Sequence, residues 1–327
     1  MSLYRAMRRR ILTPSVAETR MDVRGFHVKS DAGRELLETV GASFLAGYAY
    51  AAEARTGRDA EPRLEQVPTR FRGFAYEGAA MALAVREGLP IGRKTLVAEF
   101  LSGRGDDHVY MAYVGVGWAM ARLPRFRWGT LHAPDPLLRW LVLDGYGFHQ
   151  AYFRTEKYVG RHFQELDFPW PAGPAGGQFQ WYANHAIDQG IGRAMWFVGG
   201  TDPEEVVRLI NRFPAERHAD LYAGAGLAAT YAGGVDETEL RRFWELGAHF
   251  RPQIAQGAAF AAGARARAGL TVPHNELATQ IFCGTSVDAA RKVTDEALVG
   301  LTDSGRVPAW EVWRRRISAA FAAHITA

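Results

Sequence analysis

Along the second half of the chain, segments carrying one apolar stripe alternate with segments that are small and apolar on every side. The stripes recur at helical spacing: Val206, Ile210 and Phe213 share one face, and Leu240, Phe243, Trp244, Gly247 and Phe250 share another. Between and after them lie Asp220 to Ala232, closed by Gly233-Gly234, and Pro252 to Ala268. A striped helix covers a core and an all-apolar helix lies within one, so the pattern predicts two layers of helices. Start signals agree with it. Asp202 with Pro203 and Glu205, and Asp236 with Glu239, have the arrangement of capping boxes, and a last amphipathic helix is expected after Ser286.

Glycine recurs inside the apolar segments, at Gly47, Gly78, Gly115, Gly145, Gly190, Gly224 and Gly257, with gaps of 31, 37, 30, 45, 34 and 33 residues. A period near 35 is that of helix-turn-helix units that stack to bury a shared core. The expected fold is therefore all-α: helical-hairpin repeats of about 35 residues forming an α-solenoid or a closed α/α toroid. One domain is expected over 1–327, with an N-terminal arm at 1–35. Glycine costs about 1 kcal/mol against alanine inside a helix, so its recurrence there points to close approach of backbones. Pro68 precedes Gly78 by ten residues and Pro214 precedes Gly224 by ten, as expected of a common unit. The widest gap contains Phe168-Pro169-Trp170-Pro171-Ala172-Gly173-Pro174, which predicts a long Pro/Gly loop at 164–178 over the mouth or seam of the array. Gly25 to Lys29 is the one stretch expected to be extended.

Composition narrows the partners. A net charge of +4 and a pI near 9.2 come from scattered arginine, as in Arg8-Arg9-Arg10 and Arg314-Arg315-Arg316. Without a nucleic-acid motif these runs read as solvated helix ends, and no nucleic acid is expected as a partner. The basic start has no apolar core of a secretory signal, and the longest apolar run, Val109 to Ala121, is too short to span a bilayer, so a cytoplasmic protein without a transmembrane segment is expected. The single cysteine, Cys283, lies in an apolar stretch and reads as a buried structural thiol.

The strong catalytic motifs are absent: there is no HExxH, paired CxxC, P-loop or G-x-S-x-G. Asp106-Asp107-His108 sits in a glycine-rich turn without a matching second acidic cluster, so no metal site is expected, and no cofactor can be named. Gly224-Ala225-Gly226 fits a dinucleotide pattern only formally, since no strand precedes it. The informative positions are those just before the repeat glycines, where Glu77, Asp144 and Gln189 interrupt apolar helices and can converge on one inner surface. His149 and His185 lie close in sequence, His185 one helical turn before Asp188, so Glu77, Asp144, His149, His185 and Asp188 are the candidate acid-base residues. Tyr76, Tyr113, Trp118, Tyr146, Gln189 and Trp196 flank the same positions and are the candidate lining of an apolar tunnel for an elongated, unsaturated ligand.

Several phrases carry a family resemblance: Arg24-Gly25-Phe26-His27, Glu38-Thr39-Val40-Gly41, Gly47-Tyr48-Ala49-Tyr50-Ala51, Phe71 to Ala79, and Gly115-Val116-Gly117-Trp118-Ala119 through Pro124. The chain resembles the UnbL-type family of actinobacterial proteins (domain of unknown function 1702), encoded beside the iterative polyketide synthases of enediyne clusters. What the resemblance implies is a pathway: action after the synthase makes a linear polyene and before the enediyne core is complete, alongside the synthase or companion proteins. It carries over no catalytic motif. The expected function is binding and conversion of a hydrophobic polyene or other polyketide-derived small molecule; the alternative is a non-catalytic scaffold or carrier.

Overall fold

The computed structural model describes residues 3–90, 92–169, 177–303 and 305–325, and among these there is no β-strand. The α-helices are α1 (Leu3–Leu12), α2 (Met21–Arg24), α3 (Asp31–Glu53), α4 (Glu61–Leu64), α5 (Thr69–Gly88), α6 (Leu96–Leu101), α7 (Val109–Arg122) and α8 (Trp140–Phe153) in the first half. The second half holds α9 (Ala183–Val198), α10 (Pro203–Ile210), α11 (His218–Ala232), α12 (Glu237–Leu246), α13 (Arg251–Arg267), α14 (Pro273–Cys283), α15 (Val287–Glu296) and α16 (Ala309–Ile325). Short 3-10 turns join many of them.

Each of the seven repeat glycines falls inside a helix, and those helices, α3, α5, α7, α8, α9, α11 and α13, pack in that order, each against the next. The contact is made through glycine. A Cβ on Gly115, Gly145, Gly190, Gly224 or Gly257 would stand 1.8–2.2 Å from the carbonyl oxygen of Glu77, Val114, Asp144, Gln189 or Ala223 respectively. In every one of these five cases the carbonyl belongs to the residue just before the preceding helix's own repeat glycine. A second glycine two residues on serves the following helix: Gly117 meets Val142, Gly147 meets Ile187, Gly192 meets Leu221 and Gly226 meets Ile254, again at carbonyl oxygens. Residues two apart are about 200° apart around an α-helix, so G-x-G thins both flanks of one helix. The positions just before and three after the first glycine are left to face the interior.

The succession curves back on itself. Phe74 on α5 packs edge-on against Tyr231 on α11 with ring centroids 5.2 Å apart, and Arg265 on α13 donates to the Arg70 carbonyl at 3.0 Å. An outer layer of α10, α12 and α14 covers the second half. The first half has only α4, α6 and short turns between its long helices, without a corresponding outer layer.

Local signals read from the sequence explain several helix ends. Asp236 and Glu239 form a reciprocal capping box, Ser286 caps α15, and Gly233 (φ 79°) ends α11. Asp202 caps α10 through the Glu204 amide. Gly25 to Lys29 is not a strand: Gly25 is the left-handed cap of α2 and the His27 amide donates to the Val198 carbonyl at 2.9 Å. In the 1–35 segment, α1 packs on α3, where Arg8 donates to the carbonyls of Ala52, Glu53 and Ala54. The expected 164–178 loop lies partly outside the described residues; its start is irregular and Gly177–Tyr182 forms a 3-10 turn. Arg314 departs from its expected place at a solvated helix end, being buried and ion-paired inside the array.

Alanine scanning at two helical glycines tests the packing. Gly190→Ala drives a methyl into the Asp144 carbonyl and is expected to cost about 3 kcal/mol or more in a denaturant melt. Gly263→Ala meets only the Thr294 hydroxyl at 3.4 Å and is expected to be neutral or to stabilise by about 0.5–1 kcal/mol.

Candidate functional site

The packed helices enclose an apolar cleft with about 820 Å³ of unfilled space, mouth included. Its walls are the interior-facing residues of successive helices, among them Leu37 and Phe44 on α3, Met81 on α5, Trp118 on α7, Phe148 on α8 and Leu227 on α11. Trp118 is the hub of the wall, with Phe44 at 4.6 Å and Phe148 at 5.1 Å between ring centroids. A second apolar pocket, with about 530 Å³ of unfilled space counting its opening to solvent, adjoins it, and the two share Arg193, Leu227 and Tyr231.

Charge is buried where the cavities meet. Glu77 and Arg193 line the cleft, and the Arg193 guanidinium donates to Asp144. All three side chains are buried, so two carboxyls share one cation in a medium that penalises charge. Burial dominates at Glu77: it pushes the carboxyl up to about 7, with Arg193 opposing and Asp144 reinforcing the rise. Asp144 is also raised by burial, against the pull of Arg193 and of Arg314 farther off. Glu77 is therefore a group that protonates near neutrality beside the hydrogen-bonded Asp144–Arg193 pair. The Trp118 indole N–H acts on Glu77 and favours its ionised form, whereas one Asp144 oxygen and both polar atoms of the Gln189 amide have no protein partner. Buried orphan groups on neighbouring helices are places that ordered water or a ligand fills.

Of Glu77, Asp144 and Gln189, expected on one inner surface, Glu77 and Asp144 lie around one arginine that sequence reasoning did not select. The signal was present: Arg193 occupies the position three after a repeat glycine, where Met81, Trp118, Phe148, Leu227 and Phe260 are apolar. Other candidates lie apart from this trio. His149 pairs with no carboxylate; its ring sits against Trp118 and Phe153, and burial first, then Arg122 and Arg154, lowers it to about 3, so it is neutral. His185 meets Asp220 at 2.7 Å rather than Asp188, because Asp188 is held bidentately by Arg217 at 2.5 and 2.8 Å. Asp220 in turn binds Arg314 at 2.7 Å, which also reaches Tyr182 and Gln256, forming a separate polar network that ends at half-exposed His185.

Of the expected lining residues, Trp118 lines the cleft. Tyr76 turns away, stacking on His108 at 3.6 Å and donating to Glu65 at 2.6 Å. The Tyr113 hydroxyl accepts from the Asp135 amide, Tyr146 packs on Trp128 and Phe168, and Trp196 donates to the Gly233 carbonyl. Gln189 is buried between helices. Cys283 is a buried thiol near the Ala255 carbonyl. Among the described residues no three His, Cys, Asp or Glu side chains group to hold a metal, and no helix is long and apolar enough to cross a membrane.

Residues 3–321 match the family described as "Protein of unknown function (DUF1702)". The chain belongs to the DUF1702 family. No curated protein and no solved structure matches it. The family match covers every helix of the packed succession, so the cleft and its acid–arginine trio lie within the DUF1702 region.

The buried acid gives this DUF1702 chain a pH signature. With Glu77 protonated when folded but ionised from about pH 4.5 when unfolded, stability falls as pH rises from about 4.5 to 7 and is flat above, a loss of about 3 kcal/mol. Glu77→Gln removes that loss. Its stability relative to wild type is expected to rise by about this amount across the same window, measured by urea melts at each pH.

Proposed function

We propose that this chain binds an elongated apolar small molecule in the cleft and that Glu77 exchanges a proton with the ligand's buried end. The observation that carries the reading is a buried carboxyl, pushed up to about 7 by its surroundings, on the buried wall of a mainly apolar cleft. A general acid or base works best when its pKa lies near the working pH, and burial has brought Glu77 there. Arg193, hydrogen-bonded to Asp144, sits close enough to favour the ionised form of Glu77 once its proton is given up. The Trp118 N–H lines the same wall and acts on Glu77, stabilising the carboxylate that forms when the proton leaves.

The substrate class comes from the resemblance to the UnbL-type proteins: a linear polyene or an enediyne-core intermediate derived from an iterative polyketide synthase. A conjugated chain suits an aromatic-walled cleft, and moving its double bonds needs one proton given and one removed, a cycle that a single carboxyl can close. We further read the register-matched succession of helices as a helical-repeat array curled around the cleft.

A carrier would use the same cleft without the acid. Two variants separate the readings, with a naturally fluorescent conjugated polyene acid as the probe. Ala228→Trp fills the cleft wall and is expected to abolish binding; retained affinity would move the site elsewhere. Glu77→Gln is expected to bind within about twofold of wild type and to lose conversion of the pathway polyene by at least about a hundredfold. Undiminished conversion would remove Glu77 from the chemistry, and an absence of turnover in wild type would favour the carrier.

A further inference from the structure

The cleft opens at one end only through partly exposed residues. Pro14, Glu18, Arg122 and Phe153 mark the mouth, whereas Phe74, Glu77, Arg193 and Tyr231 at the far end are buried. Tyr152 and Phe153 line the cleft and also line an open depression just outside it, of about 1200 Å³ with its mouth. The character changes at that boundary. The cleft is apolar, but the depression is ringed by Arg24, Arg154, Lys157 and Arg161, with Arg122 on the cleft's own rim.

The charges there do not balance. Glu18 is taken by Arg24 at 2.8 Å and Glu156 by Arg161 at 3.1 Å. Arg122, Arg154 and Lys157 have no carboxylate partner among the described residues, and all three are exposed. Two of them act on one ring. Arg122 and Arg154 both act electrostatically on His149, beneath the Phe153 ring, and the Lys157 ammonium is held 3.6 Å over Phe163, another wall of the depression. Two charge pairs, three cations without a carboxylate partner and the Glu38 carboxylate, which acts on Tyr152, leave this rim with an excess of +2 beside an apolar opening. Like charges held together in this way lower one another's cost when an anion docks, and an oxyanion with two or three acceptor oxygens matches a pair of guanidinium groups and an ammonium.

We propose that this vestibule binds the oxyanion headgroup, carboxylate or phosphate monoester, of an amphiphile whose apolar chain enters the cleft. The inference rests on the reading of the cleft as a ligand site and adds a polarity to it: the charged end stays at the mouth and the distal end of the chain reaches Glu77. A neutral chain would gain only the apolar part of the interaction.

Binding of hexadecanoic acid, hexadecyl phosphate and hexadecanol, each below its aggregation limit at pH 8, to the full chain tests this by displacement of a fluorescent polyene probe. The acid and the phosphate are expected to bind about tenfold more tightly than the alcohol, and the advantage to vanish in about 0.5 M salt. The exposed double variant Arg154→Glu with Lys157→Glu, checked for folding by circular dichroism, is expected to lose that advantage while hexadecanol binds as before. A preference for only one of the two anions supports the site and identifies its headgroup. Equal affinity of acid, phosphate and alcohol, or an unchanged anion advantage in the double variant, overturns the vestibule while leaving the cleft in place. Failure of all three to bind overturns the cleft reading itself.

Discussion

Everything in this structure depends on glycine meeting a backbone carbonyl. Eleven glycines along seven helices sit where a methyl group would collide with the neighbouring helix. Each costs about 1 kcal/mol of helix propensity, so together they forgo about 10 kcal/mol that alanine would have supplied. The return is backbone contact, with dispersion and Cα–H to carbonyl interactions along every helix pair. Because the register of the contact is the same from α5 to α13, each helix presents the same two positions to the interior. The cleft is what those positions enclose.

That arrangement also explains why charge is tolerated in the middle of the fold. Seven tightly packed helices exclude water, and a lone carboxylate there would cost several kcal/mol. The chain answers with one arginine for two acids, and the surplus is resolved by protonation rather than by a second cation. An acid poised in this way is held by its surroundings, not by its own chemistry: the same Glu77 on a surface would ionise like any other. The second buried network, from Asp188–Arg217 and Asp220–Arg314 to His185, is closer to full pairing and has the look of structure.

Much of the architecture was legible in the sequence because it is written in local terms. Helix ends follow from Asp236, Ser286 and Gly233, and the seven glycines mark the seven helices that form the interior. The inward direction of Glu77 and Asp144 follows from their place before those glycines. What could not be read was partnership across the fold. His185 and Asp188 are one turn apart, yet each is claimed by a residue from another helix, Asp220 and Arg217. Arg314 lies in a run that looks like a solvated end and instead crosses the interior. Aromatics such as Tyr76 and Trp196 sit near the repeat glycines but point to flanks other than the cleft, since one or two positions of helical rotation decide the side.

The central claim is that packing of glycine-thinned helices holds one carboxyl, Glu77, near neutrality at the end of an apolar cleft. Carbon-13 NMR of protein labelled at the glutamate side-chain carboxyl, titrated from pH 4 to 9 with Glu77→Gln to assign the resonance, measures it directly. The account predicts a single resonance that titrates near pH 7 and is missing from the variant. A Glu77 resonance that titrates in the ordinary carboxylate range near pH 4.5 would contradict it.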